Sequence, residues 1–319
     1  MTPAALHDWP ALVLAAGLAT RLQPLSRVRA KAALPVAGRT VIERTLRWLH
    51  AAGVRRVVIN LHHRAETITR LVGDGRAFGL AVRYSWEDPV LGSAGGPRRA
   101  LPLLDRARFL IVNGDTLTDV DLAALAAQHV ARRALVTMAV VPGDTARYGG
   151  VQADAADQVT GFVRATDSAA SGPLAGPAPG HFIGVQAVEA AAFADAPDDT
   201  PSESVRWLYP RLIAARPGAV QVYRSHAAFF DIGTPRDYLE TVRTFAAREA
   251  CALDQGADTV VDPTARVTDS VLWDRVTVGP GAVLDGCIVT DDVVVPAGAR
   301  HADAMLVGGP EGLDVRSLP

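Results

Sequence analysis

The chain has 319 residues, of which 49% are hydrophobic and 21% charged, and 32 basic against 34 acidic residues leave a formal net charge of -2. This composition excludes wholesale disorder, supplies a sizeable core and gives no electrostatic reason to expect a nucleic-acid partner. Cys251 and Cys287 lie 36 positions apart with no CxxC pair, so neither a disulfide framework nor a cysteine zinc site is expected.

The N-terminus carries Asp8 and no basic leader, and the apolar stretch from Ala11 stops at Thr20 and Arg21, too short to span a bilayer. A cytoplasmic protein without membrane association is expected. Ala11 to Ala15 reads as a buried strand and Thr40 to Ala52 as an amphipathic helix closed by Gly53. Val57 to Asn60 is the next strand, Ala65 to Val72 a helix, Ala81 to Tyr84 a strand and Phe109 to Val112 another. This alternation predicts an α/β fold with a Rossmann-like, mostly parallel sheet and helices on both faces. Ligands of such sheets bind beyond the carboxyl ends of the strands. Two loops therefore stand out, Ala16 to Gln23 and Asn113-Gly114-Asp115; Asp119 and Asp121 read as caps of the following helix.

Beyond about residue 142 the signals scatter, and Ser168–Gly180 reads either as a mobile loop near a ligand or as a surface insertion. Phe229 to Gly233 reads as a strand running into a turn, with Pro235 in the first turn of a helix that continues to about Arg248. After Gly256 a six-residue period takes over: Val271, Thr277, Val283, Val289 and Val295 form one column, Val276, Ala282, Ile288 and Val294 another. That period is the signature of a short C-terminal left-handed parallel β-helix of about two coils. So short a solenoid is expected to cover the main domain or meet a second subunit.

Of the 32 basic residues only Lys31 is a lysine, an exception that needs a reason in a chain that otherwise uses Arg. The strand before it empties into Ala15-Ala16-Gly17-Leu18-Ala19-Thr20-Arg21. Small residues there expose backbone N–H groups that can cradle phosphate oxygens, and Arg21 adds a planar fork matched to them. Neither GxxxxGK[ST] nor GxGxxG is present, and no GxSxG marks a nucleophile. His62-His63 reads as a pair of loop histidines, because adjacent strand residues point to opposite faces and cannot share one ion.

The stretch from Leu14 to Gly38 resembles the signature LAAGxGTRLxPLTxxxPKxLxPVxG of the sugar-1-phosphate nucleotidyltransferases. The resemblance continues through Val112-Asn113-Gly114-Asp115 and Phe230-Asp231-Ile232-Gly233-Thr234 to the C-terminal repeats, nearly the whole chain. The 10 positions from Arg21 to Lys31 separate it from the cofactor cytidylyltransferases, whose lysine follows the arginine more closely. It implies a nucleotidyltransferase domain over 1–250 and a hexapeptide-repeat β-helix over 256–307 that can contribute to a homo-oligomer. The substrates implied are an NTP and a sugar 1-phosphate, the products an NDP-sugar and pyrophosphate, and the cofactor Mg²⁺.

In such a transfer the sugar phosphate attacks the α-phosphorus and pyrophosphate leaves in line, so positioning and charge neutralisation dominate. Arg21 is expected to hold the triphosphate and the leaving pyrophosphate, and Lys31 to act as a compact charge on the α-phosphate and the incoming sugar phosphate. By resemblance Asp115 and Asp231 are the Mg²⁺ carboxylates. Nucleotide contacts are expected from Leu14, Ala16, Gly17, Leu18, Ala19, Thr20, Asn113, Gly92 and Ser93, and sugar-phosphate contacts from Gly149, Arg164, Gly184 and Glu203. Leu91-Gly92-Ser93-Ala94-Gly95 looks like the LGTAG of mannose-1-phosphate guanylyltransferases, which implies GTP with mannose 1-phosphate or a similar sugar. Gly95-Gly96 with Ala100 to Leu104 and Val112 to Asp115 also resembles the N-acetylmuramate 1-phosphate uridylyltransferases, so UTP with that sugar phosphate is the alternative.

Two residues depart from the family pattern. Ala19 stands at the third position of the glycine loop, where the family has Gly, and its methyl is tolerable at negative φ and obstructive at positive φ. Phe162-Val163 is followed by Arg164-Ala165-Thr166 instead of Glu-Lys-Pro, so a second lysine is missing and Arg164 or Arg147 is the available substitute. Both departures leave open a regulatory relative that binds nucleotide sugars and turns over weakly. A hexapeptide acyltransferase ranks below either reading, since the tail is short and its one histidine, His301, lies past the last clear repeat.

Overall fold

The run Ala11-Leu12-Val13-Leu14 has no polar face to offer water, and it forms β1 (Ala11–Leu14) in the interior of a seven-stranded sheet. The computed structural model describes residues 6–165, 177–253, 255–309 and 312–319. In chain order the sheet adds β2 (Arg56–Leu61), β3 (Ala81–Trp86), β4 (Arg108–Asn113), β5 (Val136–Val141), β6 (His181–Glu189) and β7 (Val220–Arg224). Their spatial order is β7-β5-β6-β4-β1-β2-β3. β6 runs antiparallel to both neighbours, and the remaining pairs are parallel.

The helices are α1 (Val41–Ala51), α2 (Ala65–Val72), α3 (Gly92–Leu104), α4 (Leu122–Arg132), the single turn α5 (Thr145–Tyr148), α6 (Tyr209–Ala215) and α7 (Pro235–Glu249). α3 lies against β1, β2 and β3, and α4 against β5, β6 and β7. Leu12, Val58, Phe109, Ile111, Met138 and Phe193 share one apolar core with the inner faces of α3 and α6. Asp121 caps α4 as expected, accepting from Ala124 N at 2.9 Å. Asp119 does not; its carboxylate accepts from Ala228 N at 2.7 Å and so ties two loops together. The stretch expected as a loop over Ser168–Gly180 lies, for 168–176, outside the described residues.

By its contacts the chain divides into two units: Met1–Gly17, Thr45–His63 and Val72–Phe229, which contain the sheet, and Leu18–Arg44, Arg64–Leu71 and Phe230–Pro319. In the second unit residues 20–33 form short 3-10 turns, α7 opens with a Thr234–Asp237 capping box, and the tail follows. The tail is three stacks of short parallel strands: Val260–Val261, Thr277–Val278 and Val294–Val295; then Arg266–Thr268, Val283–Asp285 and Arg300–Ala302; then Val271–Leu272, Ile288–Val289 and Ala304–Gly309. Residues on successive coils stand 17 positions apart, one short of three hexads.

The short side runs from Arg266 to Val271, five positions against the six from Val260 to Arg266 and from Val271 to Thr277, and at its end Asp269, Gly286 and Asp303 adopt φ of 46, 62 and 45°. The six-residue columns therefore mix faces: Val289 and Val295 are buried, whereas Thr277 is exposed and Val294 is 64% exposed. Among the described residues no helix is long and apolar enough to cross a membrane.

His129 of α4 is fully buried, with Nδ1 2.8 Å from Thr137 Oγ1 and the ring edge-on to Trp9. Burial lowers its pKa to about 4, outweighing the opposing pull of Glu189. The unfolded chain, in which this group titrates near 6.5, then binds more protons below that pH than the folded one. The stability is fully present above the unfolded value and is lost as pH falls from there toward 4. Urea unfolding is expected to show about 2 kcal/mol less stability at pH 5 than at pH 7 from this residue, and His129→Gln to remove that component. An unchanged slope in the variant would place the acid lability elsewhere.

Candidate active site

At the carboxyl edge of the sheet, Leu14 is in register with Asn60 on one side and Asn113 on the other. Asn60 Oδ1 accepts from the backbone N–H groups of Ala15 at 2.6 Å and Ala16 at 3.3 Å. Its Nδ2 donates to Glu87 Oε1 at 2.7 Å, and Glu87 Oε2 accepts from Leu91 N at 2.8 Å. Both side chains are buried. One amide and one carboxylate thus tie the loop after β1 to the start of α3. Glycine is required at position 96, where a Cβ would sit 2.6 Å from Glu87 Oε1 and 2.9 Å from Asn60 Nδ2. Sequence reasoning missed Asn60 and Glu87, although a lone asparagine closing the apolar strand Val57 to Asn60 is a visible signal.

Gly114 N donates to Leu14 O at 2.8 Å, joining the loops after β1 and β4. Gly184 has φ +75°, at the bulge where β6 shifts register against β5, and a Cβ there would lie 2.7 Å from Asn113 Nδ2. The expected sugar contact therefore makes room for the expected nucleotide contact. Asp115 is half-buried, with Thr116 Oγ1 donating to its Oδ1 at 3.3 Å. Gly17 is exposed, and a Cβ added there meets nothing within 4 Å, which leaves space beside the Ala15 and Ala16 amides.

Around α3 the geometry is more internal than expected. Ser93 Oγ donates to Glu203 Oε2 at 2.8 Å, and Ser202 O accepts from Ala94 N at 2.9 Å. Gly92, at φ +76°, lets the Ser202 carbonyl approach, since a Cβ would stand 2.7 Å from it. Gly92, Ser93 and Glu203 come together, while Gly149, at φ +77°, is placed against the Val163 carbonyl. Arg164 is exposed and lines an open pocket of about 810 Å³ with Phe162, Arg206, Pro210 and Ile213.

In the second unit Leu18 is 48% exposed and Ala19 has φ 49°, the left-handed conformation that favours glycine. The family's glycine position is thus kept in backbone geometry although the residue is alanine, at a cost of about 1 kcal/mol. Thr20 and Arg21 follow in an exposed 3-10 turn. Lys31 Nζ stands 3.5 Å from Asp231 Oδ1, the side chains 13% and 17% exposed. A Cβ at Gly233 would lie 2.9 Å from Asp231 Oδ2 and 3.6 Å from Arg21 Nη1. Arg21, Lys31 and Asp231 therefore form one charged cluster: a planar fork, a compact ammonium and a carboxylate.

Among the described residues no three or more His, Cys, Asp and Glu side chains are assembled as a metal cage. Mg²⁺ does not need one, since it takes one or two carboxylates and completes its shell with phosphate oxygens and water. Asp115 and Asp231, both half-buried acceptors, have the donor chemistry for it.

The nucleotidyl transferase family profile matches residues 10–248. A mannose-1-phosphate guanylyltransferase of Mycobacterium tuberculosis is 30% identical over 305 residues, 92% of this chain and 83% of the relative. An N-acetylmuramate alpha-1-phosphate uridylyltransferase of Neisseria meningitidis serogroup B is 44% identical over 115 residues, 36% of this chain and 50% of the relative. Among solved structures, HddC from Yersinia pseudotuberculosis has a similar fold, with a TM-score of 0.62 at 22% identity over 74% of this chain and 99% of that one. With a profile matched over most of its length and a relative aligned nearly end to end, the chain belongs to the sugar-1-phosphate nucleotidyltransferases of the nucleotidyl transferase family.

Proposed function

We propose that the chain transfers a nucleotidyl group from GTP to mannose 1-phosphate or a similar sugar 1-phosphate, releasing pyrophosphate. The observation that carries this reading is the Arg21, Lys31 and Asp231 cluster at the end of the signature loop. Asn60, by accepting from the Ala15 and Ala16 amides, fixes the start of the signature loop, whose next residues Gly17 and Leu18 present their backbone N–H groups to phosphate oxygens of the NTP. Arg21 holds the β- and γ-phosphates and neutralises the charge that grows on the leaving pyrophosphate. Lys31, oriented by the Asp231 carboxylate, draws the α-phosphate and the sugar phosphate together against their mutual repulsion. Asp115 and Asp231 would hold Mg²⁺, which would supply Lewis-acid charge on the phosphate oxygens.

The long alignment with the mycobacterial guanylyltransferase supports the choice of GTP and mannose 1-phosphate. The higher identity of the shorter match to an N-acetylmuramate 1-phosphate uridylyltransferase supports UTP with that acceptor as the alternative. The left-handed Ala19 favours a second reading, a nucleotide-sugar-binding relative that turns over weakly. Residues 1–250 are read as the catalytic domain and 256–307 as a left-handed β-helix; the three stacks with a 17-residue coil support the latter.

The test is pyrophosphate release with Mg²⁺, crossing GTP, UTP, dTTP, CTP and ATP with mannose, glucose and N-acetylmuramate 1-phosphates. One pair is expected to exceed the rest by at least about tenfold, the discrimination a few hydrogen bonds supply. Silence across the matrix with measurable NDP-sugar binding would favour the weak relative. Silence without binding would overturn both readings.

A further inference from the structure

The segment that carries Lys31 has little regular structure to hold it, and its tethers come from two directions. On one side Arg64 Nε and Nη2 donate to Val28 O at 3.1 and 2.9 Å, and Ala30 N donates to Thr67 Oγ1 at 3.1 Å. On the other, Arg29 reaches the C-terminal coils: Nε donates to Asp291 Oδ2 at 2.8 Å, and Nη2 to Asp291 Oδ1 and Asp274 Oδ2, each at 2.5 Å. Its guanidinium also stands 5.2 Å over the ring of Trp273, whose Nε1 donates to Tyr238 OH at 3.0 Å. Tyr238 OH donates in turn to Pro35 O at 2.8 Å. The coils therefore grip the signature loop directly at residue 29, while at residue 35, on the other flank of Lys31, the hold comes from Tyr238 of α7, itself tied to the coils by Trp273.

The grip has the features of a built device rather than a surface ion pair. The Arg29 side chain is 11% exposed and that of Asp291 13%. Asp274 and Asp291 occupy equivalent positions on successive coils, 17 residues apart, and Asp274 N donates to Asp291 Oδ1 at 3.1 Å. One guanidinium thus bridges two turns of the tail, using the planar fork that a lysine lacks. Burial by itself would lower the Arg29 pKa, but the hydrogen bonds and charges of Asp291 and Asp274 raise it above its ordinary value. An uncompensated buried partner on either side would be costly.

We infer that the C-terminal coil is a positioning element of the reaction: Arg29, clamped by Asp274 and Asp291, sets the place of the Lys31 ammonium two residues along the chain. For its effect on turnover this rests on the nucleotidyl-transfer reading, whereas the position of Lys31 is readable without it. Lys31 is the sole lysine of the chain, so an amine-selective acylating reagent reports on this one side chain, with the N-terminal amine as internal standard.

The experiment compares full-length parent, Asp291→Asn and Asp291→Glu by acetic anhydride labelling with mass spectrometry, by pyrophosphate release, and by circular dichroism. Asp291→Asn is expected to speed Lys31 acylation several-fold and to lower kcat about tenfold. The KM for NTP should stay within about twofold and the circular dichroism spectrum at the assay temperature should match the parent's, with the thermal midpoint lowered by the less compensated guanidinium, while Asp291→Glu returns labelling and kcat toward the parent values. A folded Asp291→Asn with parental labelling and parental kcat overturns the inference. Should that variant fail to fold, Asp274→Asn, which removes one of the two carboxylates, is read by the same criteria. A parent that releases no pyrophosphate with any substrate pair overturns the nucleotidyl-transfer reading instead, and the labelling comparison then decides the positioning role alone.

Discussion

Lys31→Arg is expected to lose activity almost as completely as Lys31→Ala, by about 10³-fold in kcat. The substitution keeps the charge, so a generic need for a cation would leave turnover nearly intact. The site argues otherwise. The ammonium sits 13% exposed beside Asp231, and Arg21 already supplies a planar fork to the same cluster. A second guanidinium would add bulk where two phosphates must meet, and its donors would diverge from a single point of charge. That every other basic side chain in the sequence is arginine makes the retained lysine chemically informative. Pyrophosphate release by both variants, with circular dichroism to establish folding, checks the expectation; parental turnover in Lys31→Arg would remove Lys31 from the mechanism.

Asn60→Leu is expected to cost about 3 kcal/mol of stability and to reduce turnover at the same time. Leucine is close in volume, so the loss comes from hydrogen bonds rather than from a cavity. The Ala15 and Ala16 amides would lose their acceptor, and the Glu87 carboxylate would lose a donor now at 2.7 Å. Asn60→Asp keeps the acceptor but sets a second carboxylate against Glu87, and is expected to be no better tolerated. Urea unfolding followed by fluorescence measures the first effect, and pyrophosphate release the second. A variant with parental stability would show that the buried network is dispensable.

The contrast between these two residues shows what can be read from one chain. β1, β2, β4 and α7 were legible because their signals are local: apolar runs of strand length, and a proline at the head of an amphipathic stretch. Lys31 was legible through its rarity and its place in a motif. The link between Asn60 and Glu87 was not, because it depends on β2 and β3 pairing in one particular register, Asn60 opposite Ser85. Nor could the sign of φ at Ala19 be read from its neighbours. In the tail the six-residue period was visible, but the five-residue side was not. It lies in the start positions of strands Arg266–Thr268 and Val271–Leu272, five apart where the other sides take six, and such a register follows from backbone turns that neighbouring residues do not announce.

The 17-residue coil makes the length of the tail a discrete quantity. Adding or removing one whole coil returns every later valine to its own column and renews contacts such as Cys287 N to Ser270 Oγ. Losing a single residue instead turns the next strand over and brings a buried side chain such as Val278 or Leu284 to the surface. Length changes that keep the stack intact are therefore counted in whole coils rather than in residues.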